Sequence, residues 1–231
     1  MFQNSMLFSW IQNIREDPLN GIALMLIQVL SLLGALILHE ISHGYVALWC
    51  GDPTAKMMGR LSLRPSHHLD PIGTTMLLLF GFGYARPVPV NPNNFRRFRR
   101  DDFLVSIAGI TMNFLLFLIS GFLMVLTTRS PAFSEKGFIH YLFTFFNHFS
   151  SLNLSLALFN LLPIPPLDGF HLLNDTLLKG KLRLTPDLFR MFQIGLMVLL
   201  LGTSLVDNLL YRAMNAIWSP VITFFYRLVW R

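Results

Sequence analysis

The chain has 231 residues, of which 53% are hydrophobic and only 13% charged, with 22 Phe and 11 Met and a net charge of +6. A soluble domain carries about a quarter charged residues, so this composition specifies an integral membrane protein. One cysteine, Cys50, excludes an intrachain disulfide and a Cys-rich zinc finger, and the basic excess lies in short loops beside apolar runs, which points to cytoplasmic loops and not to nucleic-acid binding.

Residues 1–17 lack an early positive region and a small-residue cleavage site, and they read as an amphipathic segment lying on the membrane, ended by Pro18. Uncharged runs then predict apolar spans at 18–38, continuing helically to about Cys50, and at 103–128, 149–167 and 191–206. Each is near the roughly 20 residues that cross about 30 Å of hydrocarbon. The runs at 71–85, rich in glycine, and 213–226, which contains Pro220, suit short spans, re-entrant pieces or interfacial helices.

Between the spans, "KMMGRLSLRP" (56–65) and "ARPVPVNP" (85–92) have the alternation and proline content of short edge strands. An edge strand has unpaired backbone groups that can accept an extended chain; a solvated pair of loops is the competing expectation. Lys56, Arg60 and Arg64, then Arg86 and the "RRFRR" cluster from Arg96 to Arg100, and "KGKLR" at 179–183 all fall on the cytoplasmic side if 71–85 dips in and returns. The expectation is an all-α polytopic membrane protein with about 5–6 transmembrane or re-entrant helices and short β-strand segments in the loops between them. No repeat or low-complexity linker divides it: an interfacial segment (1–17), a core (18–175) and C-terminal helices (176–231) form one membrane-embedded unit.

The chemistry starts in "ALILHEISHGYVALW", residues 35–49, where ionisable side chains end a long apolar run. Such groups are costly in a membrane unless they pair, bind a metal or face a wet cavity. His39 and His43 are spaced i, i+4, which stacks both imidazoles on one helix face about 6 Å apart along the axis. That is a two-ligand zinc clamp, and Glu40 projects beside it where a carboxylate can act as general base. A satisfied pair of core histidines leaves the neighbouring Glu40 unexplained. Catalytic zinc takes three protein ligands, and the candidate third is Asp168 in "NLLPIPPLDGFHLL". Pro163, Pro165 and Pro166 break the preceding helix there, and the loop-charge count brings both stretches to the same half of the bilayer. An N-cap for the following helix is the competing role for Asp168.

Taken in order, "HEISHGYVALWCGD", "GRLSLRPSHHLDPIGT", "ARPVPVNP", "SIAGITMNF" and "NLLPIPPLDG" resemble the site-2 protease family of intramembrane zinc metalloproteases, in its compact form without an inserted regulatory domain. The resemblance runs from about residue 30 to 175. It implies one zinc ion held by His39, His43 and Asp168, with Glu40 as base, and a transmembrane protein substrate unwound and cleaved in the bilayer. With the loop charges turning this site towards the cytoplasm, the expectation is a multi-pass protein of a bacterial cell membrane with its active site open to the cytoplasm. One departure stands out: the family usually has Ala-Gly-Pro where this chain has Ala108, Gly109 and Ile110.

Asn113 and Asn160 are polar residues in apolar runs, suited to bond a substrate carbonyl or the developing oxyanion, or to tie helices together. His68 matches the family's motif, and His171 suits a partner that orients Asp168 or a residue facing the loop. Two rival functions use the same residues: a non-catalytic zinc-binding membrane scaffold, and a metal or ion transporter. The oligomeric state is not legible.

Overall fold

The computed structural model describes residues 6–80, 83–133, 137–178 and 185–231. Helices α1 (Met6–Glu16) and α2 (Pro18–Cys50) meet at a break set by Asp17 and Pro18. Proline suits the first turn, where its missing N–H is not needed, and the Asp17 carboxylate accepts from the Asn20 N–H at 3.2 Å. At 1.5 Å per residue α2 is about 50 Å long and projects past a hydrocarbon core of about 30 Å. It stops at Gly51, whose φ of 111° lies in the left-handed region that suits glycine.

Among the described residues, α2 and α6 (Phe98–Thr127) are long and apolar enough to cross a membrane. The pair α9 (Pro186–Gly202) and α10 (Leu205–Val229), bent by 77°, supplies a third candidate if taken as one span. The protein is thus mostly helical, with two or three candidate spans. Leu19, Leu26 and Leu30 stand exposed on α2, as a lipid-facing surface would have them.

Helix α6 organises the rest. The Arg96 N–H donates to the Cys50 carbonyl at 3.1 Å, so the start of α6 meets the end of α2 and the two run antiparallel. Helix α7 (Phe138–Asn160) returns along α6, with Ser150 Oγ donating to the Phe117 carbonyl at 3.0 Å. At the far end of α6, Met124 and Val125 pack with Ile222 and Val229 of α10 among Phe122, Phe143, Phe146, Trp218 and Phe225. This apolar plug holds α6, α7 and α10 together well away from the α2–α6 junction. Helix α7 consequently ends beside that junction, where α8 (Asp168–Thr176) begins.

Several expectations shift. The run at 149–167 is a helix from Phe138 to Asn160, since Pro163, Pro165 and Pro166 cannot continue the hydrogen-bond ladder. The 71–85 run yields α5 (Pro71–Phe80), packed on α1 and about 15 Å long, too short to cross. Residues 213–226 belong to α10, which continues through Pro220. The basic run 179–183 lies outside the described residues.

Neither 56–65 nor 85–92 is a strand among the described residues. They hold the single turns α3 (Thr54–Met57) and α4 (Pro65–His68), and one isolated antiparallel bridge joins Leu69 to Ala85. The reason is visible in their hydrogen bonds. Proline removes donors at 65, 87, 89 and 92, and several of the remaining backbone groups pair with side chains. Arg60 donates to the Arg86 and Pro87 carbonyls at 2.9 and 3.0 Å, and the Val88 N–H donates to Glu40 Oε2 at 2.8 Å. The Asn91 N–H donates to Asp52 Oδ2 at 2.7 Å.

Asp52 is fully buried just past α2. It also accepts from Asn94 Nδ2 at 2.7 Å, from the Thr54 N–H at 3.1 Å and from Thr54 Oγ1. Burial pushes its carboxyl up, but the bonds from Thr54, Asn91 and Asn94 outweigh burial and hold it below its ordinary value. A depressed carboxyl stabilises the fold above its unfolded-state pKa and loses that contribution as the pH falls through the folded one. Asp52→Ala should therefore cost about 2–3 kcal/mol at neutral pH. Thermal unfolding curves should show the difference from the unsubstituted protein shrinking as the medium is acidified; a pH-independent difference would contradict the charged role.

A candidate metal centre

His39 and His43 lie one turn apart on α2 and are 7% and 9% exposed. They fit because the residue opposite them on α6 is Gly109. A Cβ there would press into His39 Cε1 and His43 Nε2 and would stand 2.7 Å from His39 Nδ1. One turn earlier on α6, the Val105 carbonyl accepts from His43 Nδ1 at 2.7 Å. With its proton on Nδ1, neutral His43 has a free lone pair on Nε2.

Asp168 reaches the same point from the end of α7. The chain turns over 161–167, and Asp168 is the first residue of α8, with Leu167 at the N-cap and no side chain capping the helix. The carboxylate is therefore not committed to starting the helix. Gly169 permits the approach, since a Cβ on it would stand 2.5 Å from the Leu162 carbonyl oxygen at the end of α7. Asp168 Oδ2 lies 3.4 Å from each of His39 Nε2 and His43 Nε2, and the two Nε2 atoms are 3.1 Å apart.

Asp168 Oδ2 is buried without a hydrogen-bond partner. Electron-pair donors this close in a poorly solvated site call for a cation between them. Zinc bound tetrahedrally at about 2.0–2.1 Å separates its ligand atoms by about 3.3 Å, and the observed separations bracket that value. The donor set fits zinc. Among the described residues His39, His43 and Asp168 form the group with metal-ligating potential.

Glu40 is anchored from outside the helix. Its Oε2 takes the Val88 N–H, and Arg60, 9% exposed, holds the carbonyls of the two preceding residues. One turn along α2, Gly44 lets the loops settle close, since Val88 Cγ1 would stand 3.0 Å from a Cβ there. The Glu40 carboxylate lies within electrostatic reach of His43, Asp168 and Arg60.

The remaining candidates sit at different removes. Asn113 is fully buried on α6, one turn beyond Gly109, and neither atom of its amide has a partner. Asn160 is half-buried and donates to the Leu156 carbonyl of its own helix at 3.0 Å. His68, 1% exposed, bonds through Nε2 to the Ser62 carbonyl at 2.7 Å, and its own carbonyl takes the Arg86 N–H at 2.7 Å. Burial pulls its pKa below the ordinary value despite that bond, so the ring is neutral and braces the loops. His171 is exposed, edge-on to Phe170, with no hydrogen bond to Asp168.

Sequence reasoning missed Arg60, Gly109, the Val88 N–H and Asn153. Asn153 is fully buried on α7, with Nδ2 bonded to the Phe149 carbonyl at 2.7 Å and Oδ1 unpartnered. Arg60 and Gly109 stand inside the family motifs, but no spacing marks an arginine that holds a loop or a glycine that clears room for imidazoles. Asn153 had a signal, a lone amide in an apolar stretch, as clear as that of Asn160.

Comparison with known proteins bears on this geometry. Residues 131–202 match Peptidase family M50. The chain is 45% identical to "Putative zinc metalloprotease YwhC" of Bacillus subtilis over 159 residues, covering 69% of this chain and 73% of that protein. It is 30% identical to "Putative zinc metalloprotease Rip2" of Mycobacterium tuberculosis over 203 residues, covering 85% and 75%. No solved structure matches.

Gly109→Ala tests the packing of the site directly. Alanine is the better helix former, so helicity by circular dichroism should be unchanged. Displaced histidines should nevertheless weaken zinc binding about 10–100-fold in a chelator titration; unaltered affinity would contradict the close approach of α6.

Proposed function

The chain belongs to the site-2 protease family, peptidase family M50, whose members are zinc metalloproteases, and from that premise we propose that it cleaves transmembrane protein substrates within the bilayer, with one zinc held by His39, His43 and Asp168 and Glu40 as general base. The observation that carries this reading is the convergence, 3.1–3.4 Å apart, of two histidine nitrogens on a helix apolar enough to cross a membrane with a carboxylate oxygen at the start of α8.

When bound, zinc supplies Lewis acidity towards water and towards the scissile carbonyl. The chain's own groups do the rest. The Val105 carbonyl sets the tautomer and direction of His43. The Val88 N–H pins one oxygen of Glu40, leaving the carboxylate oriented to take a proton from the attacking water and pass it to the leaving amine. Asn113, with its amide unpartnered, is the best placed of the polar candidates to bond the substrate carbonyl or the developing oxyanion. Asn160 offers its amide oxygen to the same path, His68 acts through the loop it braces, and His171 can approach Asp168 from the exposed rim.

A helical substrate hides its scissile carbonyl in its own hydrogen bonds and must first be extended. Segments 56–64 and 86–90 lie over the Glu40 end of α2, and they would take up short-strand character on pairing with it. The basic residues Lys56, Arg60, Arg64, Arg86 and Arg96 to Arg100 cluster at this end, which supports access from the cytoplasm of a bacterial cell. The same reading keeps about 5–6 transmembrane or re-entrant helices, with 18–175 as the catalytic core between the interfacial segment 1–17 and the helices of 176–231. A non-catalytic scaffold or a transporter has no use for a carboxylate held beside the clamp as Glu40 is.

Glu40→Gln is the test. It should lower cleavage of a membrane-spanning peptide by at least about 100-fold while zinc content by mass spectrometry stays at one per chain. Retained cleavage would remove Glu40 as base, and zinc transport without cleavage would replace the reading.

A further inference from the structure

Beside the metal centre, one helix face over, α2 and α6 enclose a groove of about 1110 Å³ that reaches from Leu115 to the basic loop. Its walls are almost wholly apolar, with Leu38, Ile41, Leu104 and Ile107 among them. The end nearest the helix junction is different: Arg96, Arg97 and Arg100 line it together, all exposed.

The one carboxylate in the groove does not neutralise them. Asp101 is 5% exposed and accepts the Arg97 N–H at 2.7 Å. Among the described residues, none of the three guanidinium groups is ion-paired. Trp49 and Tyr45, 71% and 42% exposed, also line the groove, within two turns of the end of α2. Amphipathic rings of this kind settle where hydrocarbon meets headgroups.

We propose that this groove binds an anionic phospholipid, with acyl chains between α2 and α6 and the phosphate on Arg96, Arg97 and Arg100. Charge favours a lipid over a second transmembrane helix. Clustered arginines at the interface attract anionic headgroups. The cytoplasmic flanks of membrane-spanning segments are themselves usually basic, and on the orientation proposed above such a flank would meet repulsion here. Substrate approaching the metal centre along this face would have to displace the lipid.

Trp49 provides the probe. In a variant with Trp10, Trp218 and Trp230 changed to Phe, reconstituted in phosphatidylcholine, brominated phosphatidylglycerol should quench Trp49 at a mole fraction at least threefold lower than brominated phosphatidylcholine does. Arg96→Gln, Arg97→Gln and Arg100→Gln together should bring the two lipids level, while the corresponding three lysine substitutions keep the preference. Unchanged zinc content shows that these variants are folded, and the readout involves no proteolysis, so failure of the catalytic reading leaves it intact. Equal quenching in the arginine background, or a preference that survives in the glutamine variant, would overturn the proposal. So would arginine-dependent quenching by a brominated spanning peptide with an acidic flank and none by phosphatidylglycerol, which would give the groove to a protein partner.

Discussion

Three lone pairs that point at one another inside a helix bundle impose the constraint on which the architecture depends. His39, His43 and Asp168 bring donor atoms to within 3.4 Å, and Asp168 Oδ2 has no hydrogen-bond partner. In water such an arrangement would relax by solvation; among α2, α6 and α8 it cannot, and a cation at the centre would resolve it. Much of the surrounding structure serves this approach. Gly109 removes the Cβ that would separate the imidazoles from α6, Gly169 lets α8 start against the end of α7, and the apolar plug at the far end of α6 fixes how α7 returns.

The loops between α2 and α6 do the complementary work. They contribute hardly any regular structure, yet several of their backbone groups are paired with buried side chains. Asp52 ties down Thr54, Asn91 and Asn94; Arg60 holds the carbonyls of Arg86 and Pro87; Glu40 holds Val88. Charged side chains thus replace the neighbouring strand that the alternating pattern suggested. The arrangement also couples Glu40 to residues far from it in sequence, so its orientation depends on Arg60, 20 residues on.

What was legible in the sequence followed from strong, local signals. The extent of α2 could be read because Pro18 and the apolar run that continues to about Cys50 lie in one continuous stretch. The His39, Glu40 and His43 cluster was legible from helical spacing, and Asp168 from prolines that break a helix where a polar residue follows. The start of α7 at Phe138 was not, because Tyr141, His140, Asn147 and His148 dilute the apolar pattern over its first half. The 56–65 and 85–92 segments misled for a physical reason: alternation reports which side chains face inwards, but it says nothing of where the backbone hydrogen bonds go. Arg60 and Gly109 act through tertiary contacts alone, and neither residue type carries its partner in its spacing.

The most direct test of the central convergence is X-ray absorption at the zinc edge on the purified protein. Two imidazole ligands and a carboxylate oxygen should appear in the first shell of the unsubstituted protein, with the carboxylate contribution lost in Asp168→Ala. A sulfur ligand, which only Cys50 or a methionine can supply, or a spectrum unchanged by Asp168→Ala, would contradict the account.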